Sequence, residues 1–276
     1  MQARLFAAAG VLVLALIAGA VFVYRDTRAS VQRQVAGRSG EALSNARVSL
    51  GRGEYLYQTA ARCSTCHASD LGGRFVLRSA LVATLWGPNL TRGNRSVGID
   101  YTNADFERAI RRGLRPGGMR LLMMPSLDYA TMSDDDVASV IAYIRSAKPV
   151  ERAAPAFRLG VGGRVMLLAG RLGFDSDRIP EAVPLPRTLS AGAYLARVGG
   201  CLRCHGAGGE APARAVGMAS FTAVLQSGRD RSGREISAHA APPERWRDAD
   251  IGALYWCFAE LGAPGPTCSG PALPAR

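Results

Sequence analysis

Cys63-Ser64-Thr65-Cys66-His67 is the stretch on which the reading turns, and it has a second copy, Cys201-Leu202-Arg203-Cys204-His205. C-x-x-C-H is the spacing of a c-type haem attachment site. The two thiols bond to the vinyl groups along one edge of the macrocycle, and the histidine that follows is held under the iron. One copy could be chance. Two copies, each preceded by a helix-like segment (51–61 and 190–200), predict two covalently bound haem c groups and electron transfer as the chemistry. Four thiolates could instead hold zinc, but the histidine directly after each pair argues against that.

The chain has 276 residues, room for two small domains, and is 48% hydrophobic. Lys+Arg 34 against Asp+Glu 22 gives a formal charge of +12. Arginine supplies nearly all of it, since Lys148 is the sole lysine. There is no helix-turn-helix, RNA-binding signature or isolated basic tract, so nucleic acid is excluded as a partner. Acidic protein faces and anionic lipid remain. Haem attachment takes place outside the cytoplasm, where disulfides also persist. The two cysteines outside the pentapeptides, Cys257 and Cys268, are therefore expected to bridge and staple the last helix to the tail.

Residues 5–24 form an uncharged apolar run between Arg4 and Arg25. At about 1.5 Å per residue it spans about 30 Å, the thickness of a hydrocarbon core. Ala18-Gly19-Ala20 resembles a signal cleavage site. The run nevertheless continues through Val21-Phe22-Val23-Tyr24, so residues 1–24 read as an uncleaved transmembrane anchor. Residues 25–50 read as a polar spacer. The first module, 51–148, carries its pentapeptide, a long loop with Trp86-Gly87-Pro88-Asn89-Leu90-Thr91, and a helix over 103–112 stopped by Gly113. A methionine-rich segment follows, Gly117-Gly118-Met119-Arg120-Leu121-Leu122-Met123-Met124-Pro125, and then a helix capped by Ser133. Residues 149–187 form a proline-rich linker whose apolar patch at 161–172 is expected to pack between modules. The second module, 188–276, is shorter, with helices at 219–226 and 247–261 and an irregular tail. The elements predict an all-α chain of two tandem modules.

These features resemble the class I cytochrome c family, two domains in tandem. The chain is similar to the membrane-anchored dihaem cytochromes c that serve bacterial periplasmic alcohol and aldehyde dehydrogenases. The resemblance covers about residues 51–262 and rests on the two pentapeptides, Gly-Pro-Asn-Leu at 87–90, Met124-Pro125 and Ser-Asp-Asp-Asp at 133–136. It implies His67 and His205 as proximal iron ligands and Met124 as the distal ligand of haem 1, with Met123 and Met119 as neighbouring rivals. It also implies that the Pro88 carbonyl accepts a hydrogen bond from the second nitrogen of His67.

Aligned without gaps at an offset of 115, Phe106 falls on Phe221, Gly113 on Gly228, Gly118 on Gly233, and Met124 on His239. His239 is the only histidine outside the pentapeptides, and Met218, the sole later methionine, precedes the middle helix. His239 is therefore the expected distal ligand of haem 2, with Met218 or an open iron as alternatives. From His205 to His239 is 34 residues, against 57 from His67 to Met124, and no second Gly-Pro-Asn-Leu exists.

The resemblance implies an electron carrier rather than an enzyme. It would sit in the bacterial inner membrane with its haem domains in the periplasm. It would take electrons from a dehydrogenase and pass them to a terminal oxidase or another respiratory complex. A dihaem peroxidase or thiosulfate-oxidising enzyme working at haem 2 is the alternative. Methionine ligation raises a haem potential relative to histidine, so electrons are expected to enter at haem 2 and leave at haem 1.

Overall fold

Helix α1 (Gln2–Gln32) opens the chain and runs one turn and more past Arg25, because charge ends the apolar run without ending helix propensity. The computed structural model describes residues 2–35, 43–180, 190–205, 212–236 and 242–260. Within α1, Ala9–Gln32 is long and apolar enough, by length and composition, to cross a membrane. The expected spacer is therefore helical in its first third, and it is docked rather than free. Thr27 is fully buried, and Val35 N–H donates to Gly118 O at 2.9 Å.

The first module contains α2 (Leu50–Tyr55), α3 (Ser64–His67), β1 (Arg74–Arg78), β2 (Ala83–Gly87), α4 (Val97–Asp100), α5 (Asn103–Arg112), α6 (Ser126–Tyr129) and α7 (Asp134–Ser146). After it come β3 (Arg158–Leu159) and α8 (Val161–Leu168), then α9 (Ala191–Val198), α10 (Leu202–His205), α11 (Pro212–Ser227) and α12 (Asp248–Glu260). The chain is mostly helical but not all-α. Part of the expected loop after the first pentapeptide is a β1–β2 hairpin, and β3, from the linker, adds a third strand. Phe75 and Trp86 pair edge to face across the hairpin, with centroids 4.6 Å apart.

Each module is built on one helix crossing. In the first, α2 crosses α7 where Gly53 meets the Ser139 carbonyl. In the second, α9 crosses α12 where Gly192 meets the Ala253 carbonyl. Ser49, Ser133 and Ser190 cap α2, α7 and α9 through their side chains. After α2 the backbone widens into a π turn over Leu56–Ala60 that delivers the chain to Cys63.

The spacing of two modules around a proline-rich linker suggests separate bodies, but one buried core runs through both. It joins Tyr57, Phe106 and Val140 to Val198, Leu254 and Phe258. A reciprocal pair of hydrogen bonds closes the seam. Tyr55 Oη donates to Asp250 Oδ2 at 2.5 Å, and Tyr194 Oη donates to Asp136 Oδ2 at 2.6 Å. Each aspartate is the third residue of its helix, where the helix dipole favours a carboxylate. Burial and then the facing carboxylate raise both tyrosine pKa values, so both remain donors. A hydrogen bond to a charged acceptor is worth about 1.5–3 kcal/mol. Tyr194→Phe should cost roughly that in chemical denaturation, and Tyr55→Phe a similar amount.

The linker patch does not pack between the modules as expected. Helix α8 lies against α1, with the Arg164 guanidinium 4.4 Å from the Tyr24 ring centroid and donating to Thr27 Oγ1 at 2.7 Å.

Candidate functional site

The Gly-Pro-Asn-Leu stretch, residue by residue, presses strand β2 onto the first pentapeptide. A Cβ on Gly87 would stand 1.9 Å from the Cys66 carbonyl oxygen, so only glycine allows the approach. Pro88 O then lies 3.0 Å from His67 Nδ1. A carbonyl only accepts, so Nδ1 carries the proton and Nε2 is left with its lone pair. Asn89, buried, donates to Val150 O at 2.6 Å and accepts from Thr91 N and Oγ1. Leu90 enters the core. Burial lowers the His67 pKa, against the opposing pull of the Pro88 bond, which keeps the imidazole neutral. Cys63 and Cys66 are free thiols, and burial pushes Cys63 up to about 12.

The methionine segment follows α5. Gly113 ends α5 in the left-handed conformation, φ +66°. A short hairpin follows, with Arg115 N donating to Met119 O at 2.7 Å and Leu121 N to Gly113 O at 2.7 Å. Met123 takes φ +70° and is 46% exposed, whereas Met124 packs against the core. The positive φ turns one methionine outward and the next inward, which separates the two candidates. Ser126 pins the segment to α5, its Oγ donating to Ala109 O at 3.0 Å. Arg120, buried, donates to Ser30 O of α1 and to Asp177, and lies 3.8 Å over the Phe174 ring.

The second module repeats this hairpin bond for bond at the same offset of 115. Asp230 N donates to Arg234 O at 3.0 Å, Gly233 N to Asp230 O at 2.9 Å and Ile236 N to Gly228 O at 2.8 Å. The isolated bridge Leu114–Arg120 recurs as Arg229–Glu235. Gly228 and Gly233 have φ of +68° and +82°, against +66° and +77° for Gly113 and Gly118. Phe106 and Phe221 are both buried. His239 and Cys268 lie outside the described residues. Met218 is described, partly exposed, next to the kink at Gly217 in α11. Cys201 and Cys204 are free thiols, burial pushes Cys201 up to about 11, and the His205 ring lies edge-on 5.8 Å from Phe258. Cys257 is disulfide-bonded.

The two pentapeptide regions adjoin. Arg203, inside the second, pairs with Asp128 and, at 2.7 Å, with Asp175, and Asp128 lies four residues beyond Met124. A Cβ on Gly199 would stand 3.1 Å from Ala60 O and 3.3 Å from Cys201 Sγ. Tyr129 Oη donates to Ala61 O at 2.7 Å.

Sequence reading missed a set of buried donors. Among the described residues, Trp86 Nε1, Arg108 Nε and Arg115 Nε are buried atoms without an acceptor. Burial raises the Tyr101 pKa to about 12, and both arginines act on it electrostatically. Arg108 is already paired with Asp105, so Arg115, beside the methionine hairpin, is the positive charge of the two that could meet a carboxylate of a bound macrocycle. Nothing in the local sequence marks them, because α5 and the hairpin meet only in the folded chain. The donor set fits haem: paired free thiols, an oriented neutral imidazole, an inward methionine and the Arg115 cation beside the hairpin.

Residues 49–144 match the family model described as cytochrome c oxidase, cbb3-type, subunit III. A cytochrome c domain is therefore present. The chain is 35% identical over 120 residues to the fructose dehydrogenase cytochrome subunit of Gluconobacter japonicus, covering 41% of this chain and 24% of that protein. It is 30% identical over 165 residues to the gluconate 2-dehydrogenase cytochrome c subunit of Pantoea cypripedii, covering 56% and 37%. It is 29% identical over 192 residues to the cytochrome c subunit of alcohol dehydrogenase (quinone) from Gluconobacter oxydans, covering 65% and 40%. The matches thus span two fifths or less of these relatives' lengths.

Proposed function

We propose that this chain is a membrane-anchored dihaem cytochrome c that carries electrons from a dehydrogenase towards a membrane respiratory acceptor, its two haem modules facing the periplasm. The observation that carries this reading is the recurrence, with each pentapeptide, of one helix crossing and one glycine-cornered hairpin, the hairpin repeating its bonds at an offset of 115. The relatives' names supply the dehydrogenase as donor. Bound haem supplies the one-electron ferric/ferrous couple. In this reading Cys63, Cys66, Cys201 and Cys204 fix the two macrocycles, and His67 and His205 present Nε2 to the irons. Pro88 orients His67. Met124 closes the first site and His239 the second, a reading supported by the offset of 115 that the hairpin bonds share up to Ile236. The Arg203–Asp128–Asp175 cluster holds the two attachment regions together, which favours transfer within one chain over release between steps.

A pyridine haemochrome assay on the purified chain should count two haems per polypeptide. A count of one, unchanged by Cys201→Ala with Cys204→Ala, would reject the dihaem reading. Removing a half-buried cation beside the methionine hairpin favours the ferric state, which carries the extra positive charge. Arg115→Ala should therefore lower the haem 1 midpoint while leaving the haem 2 midpoint unchanged in the same redox titration.

A further inference from the structure

The surface that flanks α1 carries an apolar tip which the modules themselves do not cover. Leu81, in the β1–β2 turn, is 67% exposed, Val161 at the start of α8 is 72% exposed and Val165 is 54% exposed. Large apolar side chains clustered on an outer surface mark an interaction site. The three belong to one structure. Gly160 N donates to Val82 O and Gly162 N to Leu81 O, both at 2.9 Å, so the hairpin turn and the α8 N-terminus are tied. A Cβ on Gly160 would stand 2.3 Å from Leu81 O, which shows how tightly they meet.

The direction of this tip follows from its contacts with α1. Arg164 meets Tyr24 and Thr27. Further along α8, Leu167 and Leu168 line a cavity of about 300 Å³ with Asp26, Ser30 and Arg33. Helix α8 therefore advances along α1 in the same sense. Its N-terminal end, with Val161 and Leu81, is the end nearer the apolar run of residues 5–24. Arg25, Arg28 and Arg158 are exposed around the same level, and Arg164 is half-buried there. Apolar side chains at the tip and arginines just behind it are the order in which a bilayer presents acyl chains and then anionic headgroups.

We propose that the Leu81–Val161–Val165 tip inserts into the outer face of the bilayer as a second membrane contact, with Arg25, Arg28, Arg158 and Arg164 at the phosphate level. The inference rests on α1 being the membrane anchor. It adds that the first haem module is seated on the membrane and not held off by a spacer. Arg120, tying α1 to the methionine hairpin, then fixes haem 1 at a set height above the acceptor's surface.

The test uses the full-length holoprotein in vesicles of phosphatidylcholine and phosphatidylglycerol, with single nitroxide labels at Leu81→Cys, Val161→Cys, Leu16→Cys and Ile99→Cys. Leu16 lies in the apolar run and Ile99 is exposed on α4. Oxygen collides preferentially with labels in hydrocarbon and a charged nickel chelate with labels in water. The oxygen-to-nickel collision ratio at 81 and 161 should approach that at 16 and exceed that at 99 several-fold. A lipid-like ratio at 16 with water-like ratios at 81 and 161 overturns the tip and leaves the anchor standing. A water-like ratio at 16 as well overturns both.

Discussion

Met124→His should lower the midpoint potential of haem 1 by more than about 60 mV, one tenfold change in a one-electron equilibrium, and bring it close to that of haem 2. A thioether is a soft ligand that favours ferrous iron, whereas a second imidazole donates more strongly and favours ferric iron. Axial ligands span about 0.8 V in haem proteins, so the expected shift is modest on that scale and still large for one substitution. Met124 is the right position to change because the backbone already distinguishes it. Met123 sits at φ +70° and 46% exposed, while Met124 packs against the core. Met123→His should therefore leave the potential unchanged. An equal shift from both variants would overturn the assignment. The reciprocal change, His239→Met, should raise the haem 2 midpoint. It tests whether the hairpin register, shared through Ile236, extends to the position three residues on. An unchanged potential and optical spectrum in that variant would remove His239 from the ligand set.

The parts of this fold that were legible in the sequence are those written in local chemistry. The first pentapeptide lies within residues 49–144, which match a cytochrome c family model. Helix α5 occupies the predicted residues 103–112 because Thr102 and Asp105 cap its start reciprocally and Gly113 ends it at φ +66°. Ser133 capped α7 as its aspartates suggested. What stayed hidden depends on distance along the chain. Strand β1 is mostly exposed and only five residues long, so it lacks the alternation by which a strand is recognised. The Tyr55–Asp250 bond joins residues 195 apart. The docking of α1 on Arg120, and of Val35 just beyond it on Gly118, was masked by the arginines after Tyr24, which read as a solvated spacer. The linker patch was correctly seen as apolar, but its partner was α1, which no periodicity could reveal.

Gly53→Val and Gly192→Val should each cost on the order of 3 kcal/mol and reduce haem content, the first at haem 1 and the second at haem 2. A Cβ on Gly53 would stand 2.0 Å from Ser139 O and 2.5 Å from its carbonyl carbon. On Gly192 it would stand 2.1 Å from Ala253 O. Real Cβ atoms do not approach within 3.0 Å, and the obstacle in both cases is backbone, so the helices must part. Parting α2 from α7 loosens the core that Val137, Val140 and Ile141 share with Tyr55 and Leu56, against which Cys63 packs. The internal control lies two residues away. Gly51 is in the same helix and meets nothing within 4 Å. Gly51→Ala should be neutral or stabilising, since alanine is favoured over glycine in a helix by up to about 1 kcal/mol, while Gly53→Ala should destabilise. Gly252 offers the same control for the second crossing. If both members of a pair behave alike, propensity and not the crossing governs stability. The continuous core makes the haem count the sharper measurement. Loss of one haem per chain in Gly53→Val means that each crossing supports its own site. Loss of both means that the Tyr–Asp seam has welded the modules into a single folding unit.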